Sequence, residues 1–375
     1  MQYRLEDALK YEQPSKYIVQ SEEYSTDISL VPVLTAGKTF ILGYTEENQG
    51  ICKASSAPVI LFDDFTADSR YIDFDFKVKS SAVKILHKMN TEDNLKYFYY
   101  AMQAIKYKPF SHKRVWISEY SKFTVKQRTP NEQNTIVAML DKLENAIKNA
   151  KQRLIELDEL VKSRFIEMFG DLLYDNKSQV SLKNCTKFID YRGKTPEKCS
   201  MGIRLITAKN VRMHNLNFEP AEFIPEENFD KIMTRGFPKS GDILFTTEAP
   251  LGYVCVIPEM KEKFCVGQRL ITIVPDERIN SIYLEYFMSS EYFQDKIWRN
   301  SSGSTVKGIK SRFLEKLFVS IAEKSKQNTF AEFVKQVDKS KFVNPLSQEF
   351  FMRNFYVFII YHCITKGCIN FCMPK

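Results

Sequence analysis

The chain predicts an α+β fold built as a tandem duplication, with a long helix between the two copies. Three observations predict it. Short apolar strands alternate with turns through residues 1–130. A heptad-patterned helix follows Pro130. The same series of segments then begins again.

In the first half, residues 30–34 read L-V-P-V-L, and residues 58–62 read P-V-I-L-F before Asp63-Asp64. Residues 71–78 alternate as Y-I-D-F-D-F-K-V, the period of one half-buried strand. Residues 94–104 read as a helix, with Thr91 as N-cap and Glu92 and Asp93 suiting the first turn. Residues 115–117 and 123–125 are further short strands.

Pro130 suits a helix start. Apolar residues then fall at Ile136, Leu140, Leu143, Ile147, Ala150, Leu154, Leu157 and Val161, in steps that alternate four and three. That is a coiled-coil seam sustained over more than three heptads, and it requires a partner helix. From 131 to 169 such a helix spans roughly 58 Å at about 1.5 Å per residue, longer than a small domain. Gly170 is the expected stop.

The pattern then restarts. Residues 203–206 (I-R-L-I) match the strand at 30–34, and 241–245 (G-D-I-L-F) match 59–62. Residues 264–274 hold the next strand. Residues 283–288 (Y-L-E-Y-F-M) echo 94–99, 318–321 echo 123–125, and 326–330 (K-Q-N-T-F) echo 132–136 (E-Q-N-T-I). The matches keep chain order at offsets near 172 to 195. A second helix is expected from about Asn328, with Phe330, Phe333, Val334 and Val337 on one side. From residue 343 the heptads vanish, Asn344-Pro345 breaks the helix, and an aromatic, Cys-rich tail without amphipathic period follows. The expected organisation is a first domain at 1–130, a spacer helix at 131–170, a second domain at 171–325, a shortened second helix at 326–342 and an atypical tail at 343–375.

Catalytic signatures are missing together. There is no G-x-x-x-x-G-K-[ST] loop, dinucleotide fingerprint, H-E-x-x-H or G-x-S-x-G elbow. Asp63-Asp64 resembles a metal-binding pair, but neighbouring strand residues point to opposite faces. Eight scattered cysteines and four histidines form no zinc pattern. No catalytic residue and no metal ligand are therefore assigned. The N-terminus has no signal-peptide pattern, and the apolar run near 350–360 is too short to span a bilayer. A cytoplasmic chain with reduced thiols is expected.

The cations point instead to an anionic partner. Lys plus Arg number 54 against 46 Asp plus Glu, a net charge of +8 that permits nucleic acid. Residues 191–196 (Y-R-G-K-T-P) form a compact loop in which Arg192 and Lys194 suit phosphates or guanine edges. Lys209, Asn210 and Arg212 add cations and an amide able to read adenine, and Arg235 stands near Lys239. The glycine-bracketed residues 303–308 carry Lys307, with Lys310 just beyond. In the first half, Lys106, Lys108, His112, Lys113 and Arg114 stand in the equivalent place. All are candidate DNA contacts.

The loop at 191–196 leading into 203–210 (I-R-L-I-T-A-K-N), the G-D-I-L at 241–244, and Pro130-Asn131-Glu132-Gln133 opening the long helix carry a family resemblance. Over residues 1–342 the chain resembles the specificity subunits of type I restriction-modification systems. The resemblance implies two mixed α/β target recognition domains joined by long antiparallel coiled-coil helices. Ile136, Leu140, Leu143, Ile147, Leu154 and Leu157 would form the seam with Phe330, Val334 and Val337. It also implies a bipartite double-stranded DNA site, in which gap length sets rotational register. The partners implied are DNA adenine methyltransferase subunits and motor-nuclease (restriction) subunits. These would use S-adenosylmethionine, ATP and Mg, and this chain would hold no cofactor. The second helix departs from the family by its length. The competing readings are a truncated, inactive specificity subunit, a nuclease or methyltransferase fragment, and a structural interaction protein with only non-specific DNA affinity.

Overall fold

A computed structural model describes residues 2–37, 39–110, 114–175, 179–191, 196–342, 360 and 363–364. The described residues up to Gln152, with Ile360, Cys363 and Ile364, form one compact unit; those from Arg153 to Phe342 form the other.

The first unit contains β1 (Gln2–Arg4), α1 (Leu5–Ala8), β2 (Leu9–Glu12), β3 (Val31–Leu34), β4 (Ile41–Thr45), β5 (Val59–Asp63), β6 (Ser69–Ile72), β7 (Lys77–Val78), β8 (Val83–Lys88), α2 (Leu95–Ala104) and β9 (Thr124–Lys126). It enters α3 (Pro130–Tyr174), whose second half belongs to the other unit. The second unit adds β10 (Gln179–Ser181), β11 (Thr186–Asp190), β12 (Ile203–Ile206), β13 (Val211–Arg212), β14 (Asn215–Leu216), β15 (Phe223–Ile224) and α4 (Phe229–Ile232). It continues with β16 (Ile243–Thr246), β17 (Val254–Val256), β18 (Phe264–Val266), β19 (Leu270–Pro275), α5 (Ser281–Ser289), α6 (Glu291–Arg299), α7 (Ser311–Leu314), β20 (Phe318–Ser320) and α8 (Lys324–Phe342).

Three sheets recur in each unit. In the first unit the orders are β2-β8-β5-β6, β4-β3-β7 and β1-β9; in the second they are β11-β19-β16-β17, β15-β12-β18 and β10-β20, with the two-stranded β13-β14 added. Even the orientations repeat: β3 pairs antiparallel with β4 and parallel with β7, as β12 does with β15 and β18. The inner strands β5 and β16 are buried along their whole length, as V-I-L-F-D and I-L-F-T, because each is covered on both faces.

Side-chain fastenings repeat as well. Asn94 caps α2 and Asn280 caps α5, each accepting from the amide two residues on. The buried Gln133 accepts from Asn94 N at 2.8 Å and donates to Arg128 O at 3.1 Å. The buried Gln327 accepts from Asn280 N at 2.7 Å and donates to Ala322 O at 2.7 Å. Asn134 and Asn328 accept from the two cap amides. Tyr97 donates to Lys126 O and Tyr283 to Ser320 O. The repeated Gln-Asn therefore ties each long helix to the cap of the helix before it, which explains why those two letters recur. The Glu of the first motif also closes the helix start, since Glu132 accepts from Thr129 N at 2.9 Å as half of a capping box. Lys326 replaces it in the second copy.

Several local expectations are corrected. Residues 71–78 do not form one strand: β6 and β7 lie in different sheets, because Asp75 accepts from Ser55 N and Oγ and turns the chain. Residues 264–274 likewise divide into β18 and β19. Residues 115–117 form no strand: 116–117 lie in a turn, and Val115 and Trp116 donate to Asp64. The cap of α2 is Asn94, not Thr91. Helix α3 passes through Gly170 to Tyr174 because Phe169 and Leu173 are both buried in the core beyond it. Helix α8 begins at Lys324, four residues early.

The seam is used in two places. Ile136, Leu140 and Leu143 are buried in the first unit, with Ile147 packed at that core's edge. Leu154 is half-buried, and Leu157 packs at the edge of the second unit's core. There Phe330, Val334 and Val337 of α8 are buried with Val161 and Phe165. Phe330 lies 5.4 Å from Phe165 by ring centroids, and Lys341 lies 2.8 Å from Asp158. Rising numbers on α8 meet falling numbers on α3, so the two helices are antiparallel in this unit. In the tail, Ile360, Cys363 and Ile364 are helical and buried in the first unit's core, with Cys363 Sγ 3.9 Å from Met139 Sδ. The helix break expected at 344–345 lies outside the described residues.

Candidate nucleic-acid interface

In the second unit, four segments meet at one sheet edge. The first is the loop after α6. Ser302 and Gly308 exchange backbone hydrogen bonds at 2.9 Å, and Ile309 N donates to Thr247 O at 3.0 Å. Gly303 has φ +112, and a Cβ there would lie 2.1 Å from Val306 O, so only glycine closes this loop. The second is the turn after β16, where Thr247 N and Oγ1 donate to Arg269 O at 2.9 and 3.1 Å. The third is the turn carrying Arg269, joined to the fourth when Gly267 N donates to Ile206 O at 2.8 Å, ahead of Thr207 to Asn210. Asp190, the residue before the Tyr191 loop, pairs with Ile271, two residues past Arg269.

The first unit repeats the same anchors. Val115 N donates to Asp64 O at 3.0 Å, and Asp64 N to Ala82 O at 3.0 Å. By these bonds Val115 corresponds to Ile309, Asp64 to Thr247 and Ala82 to Arg269. The basic loops ending at Arg114 and at Gly308 therefore occupy one topological place in two copies.

The electrostatics sort the candidate cations. Lys106, Lys108, Lys307 and Lys310 are exposed, and none has an ion pair among the described residues. Arg114 is exposed and donates to Ser81 Oγ at 3.1 Å. Arg235 is paired with Asp190, and Lys209 lies 3.4 Å from Glu222. The Lys198 ammonium, 2.8 Å from Glu222, holds that carboxyl below its ordinary range. Arg212 donates to the carbonyls of Lys209 and Val211. Asn210 is corrected: it is buried, its Oδ1 accepts from Thr207 N and Oγ1, and its Nδ2 donates to Pro220 O. It braces its own loop and has no face to offer a base. His112, Lys113, Arg192 and Lys194 lie outside the described residues.

Arg269 was missed by the sequence reading. It is half exposed, with Nε 2.8 Å from Glu248 at the same edge. Reading 264–274 as one strand hid it, although Gly267-Gln268-Arg269 interrupts the apolar run. Both carboxylates of the Asp63-Asp64 pair are turned to the fold's own groups. Asp63 accepts from Phe65 N, Thr66 N and Thr66 Oγ1. Asp64 Oδ1 accepts from Trp116 N, and its Oδ2 has no hydrogen bond, only the Lys84 ammonium at 3.3 Å. Among the described residues, no three His, Cys, Asp or Glu side chains could hold one metal ion, and no helix is long and apolar enough to cross a membrane.

Over 353 residues the chain is 31% identical to the EcoR124I/EcoR124II specificity subunit of Escherichia coli, covering 89% of this chain and 85% of the relative. The chain belongs to the family of type I restriction enzyme specificity subunits. The family model for the type I restriction modification DNA specificity domain matches residues 169–348. A second specificity subunit, MjaVIII of Methanocaldococcus jannaschii, is 22% identical over 309 residues, 75% of this chain and 72% of the relative. The crystal structure of the S subunit of a type I restriction-modification system from M. genitalium shares the fold. Its TM-score is 0.57 at 14% identity, covering 96% of this chain and 95% of that one.

The buried Glu285 and its partner His214 in this specificity subunit give a pH prediction. His214 turns inward: its ring stacks on Tyr286 at 4.1 Å and its Nδ1 lies 3.1 Å from Glu285 Oε1. Burial pushes the Glu285 carboxyl up, opposed by His214. A carboxyl raised in the folded state retains its proton where the unfolded chain has lost it. The stability it contributes is complete below the ordinary glutamate range, near about 4.3, and is lost as pH rises through the raised folded value. Glu285→Gln keeps an acceptor for His214 and has no charge to bury. Its melting temperature relative to the parent chain should rise as pH is raised from the ordinary glutamate range, about 4.3, toward 8. A difference that stays flat across that interval would contradict the assignment.

Proposed function

We propose that this chain is the DNA-reading subunit of a type I restriction-modification complex. Each unit reads one half of a bipartite site, and α3 acts as the spacer between them. The observation that carries this reading is the duplicated edge: the same backbone anchors in both units present exposed lysines, without ion pairs among the described residues, from the same loop. Phosphate contacts by such lysines set register, while groups at the loop tips read bases. The 31% identical relative is named a specificity subunit of a type I restriction enzyme, which supports the role.

In this reading the chain supplies address and no chemistry, in the cytoplasm. Adenine methyltransferase subunits extrude the target base and use S-adenosylmethionine, and motor-nuclease subunits use ATP and Mg. The shared seam of α3 and α8 supplies part of the spacer. The test is methylation mapping in cells that express the chain with its cognate methyltransferase subunits. A new methylated motif of two parts with a fixed gap is expected. Soluble, assembled subunits that methylate no such motif would defeat the reading.

A further inference from the structure

We propose that Phe110 and Val306 are apolar reading elements, each pressed against the bases of its own half-site when DNA binds. The inference rests on the functional reading above and adds the residues that touch bases.

Exposed apolar side chains scattered singly over a protein are ordinary. These two are set apart by place. Phe110 is 106% exposed, lying outside the fold altogether. Its loop is nevertheless held at both ends. On one side Tyr107 packs against Tyr120 and Phe123 at 5.6 and 5.3 Å and donates to Glu119. On the other, Val115 is bonded to Asp64 O. The same stretch of chain carries the exposed Lys106, Lys108 and Arg114, with Pro109 stiffening the chain just before Phe110. Val306, 52% exposed, stands at the tip of the loop closed by Ser302 and Gly308, beside Lys307. The exits of the two loops are anchored alike, Val115 N on Asp64 O and Ile309 N on Thr247 O, so each unit carries one exposed apolar side chain in the loop ahead of that anchor.

An exposed apolar side chain on a loop that also carries cations without ion pairs among the described residues suits one class of partner. Cations alone suit phosphates, and an apolar tip alone suits a protein groove. Together they suit a nucleic acid, whose phosphates flank a groove floor of thymine methyls and base faces. Double-stranded DNA is therefore the partner to which the charge commits these loops. Burying the ring against bases removes its apolar surface from water and favours the base steps that accept it. Both side chains point away from the core, so their truncation leaves the fold intact.

The experiment uses the complex of this chain with its cognate methyltransferase subunits, random duplex DNA, and sequencing of the bound fraction. The parent complex should select a two-part motif. Phe110→Ala should bind that motif roughly 10-fold more weakly and lose base preference in one half only, while Phe110→Leu retains part of both. Val306→Ala should relax the other half, and melting temperatures should stay unchanged. Variants that select the parent motif at parental affinity would overturn the inference while leaving the functional reading in place. So would equal relaxation of both halves by either single variant. A parent complex that selects no motif would remove the functional reading and this inference with it.

Discussion

Lys106→Ala/Lys108→Ala should make DNA binding by the assembled complex markedly less sensitive to salt. Each lysine that neutralises a phosphate releases condensed counterions, worth about 0.9 in the slope of log affinity against log salt. Two such lysines account for a slope change of about 1.8. Between roughly 50 and 200 mM salt, that is about tenfold less affinity lost by the variant than by the parent. The pair is chosen because both ammonium groups are exposed and without ion pairs among the described residues. Arg235→Ala is the control: its guanidinium is engaged by Asp190, so its removal should change the slope by less than half as much as the double variant. Lys307→Ala/Lys310→Ala should behave as the first-unit pair does, since the two loops are copies. Titrations by fluorescence anisotropy at several salt concentrations measure this. An unchanged slope in both lysine pairs would show that the duplicated edge faces away from the DNA.

The second large effect lies beneath the first-unit loop. Asp64→Ala should destabilise that unit by about 3–5 kcal/mol, the usual cost of leaving one partner of a buried ion pair alone. Asp64 and Lys84 are each 1% exposed and form an ion pair at 3.3 Å, and Gln13 Oε1 accepts from the ammonium at 3.0 Å. The same carboxylate holds Trp116 N at 2.8 Å, so its loss also frees the exit of the basic loop. Reading of one half-site should weaken along with stability. Asp64→Asn/Lys84→Met removes both charges and keeps an acceptor for Trp116 N. It should recover most of the lost stability, because the desolvation of the charges is removed with them. Urea unfolding followed through Trp116 reports this unit, the other tryptophan, Trp298, being in α6 of the second. If the single variant unfolds at the parent's midpoint, the buried pair contributes nothing and the role assigned to Asp64 fails.

Asp64 also illustrates where reading from neighbours in sequence stops. An adjacent pair of carboxylates on a strand resembles a metal site until the residues that reach it are known. Those are Lys84, 20 positions on, and Trp116, 52 positions on. Asn210 is similar: its amide was legible as a base reader, and Pro220 and Thr207 engage it before any base could. Gly170 was a sound local stop signal, overruled by Phe169 and Leu173 seeking the same core.

By itself the sequence determined the duplication, the long helix and its seam, and which loops carry the cations. Each of these is a pattern of side-chain type against position, and such patterns act through residues three or four apart on a helix, two apart on a strand, or side by side in a turn. Only the tertiary structure decided which cations remain unpaired, which apolar side chains stand outside the core, and that Arg269 joins the edge. Those outcomes depend on which distant groups arrive beside a given side chain. Arg235 meets Asp190 from 45 positions away, while Lys307 meets no acid among the described residues. Charge compensation and burial are properties of three-dimensional neighbourhood, and no spacing along the chain encodes them directly.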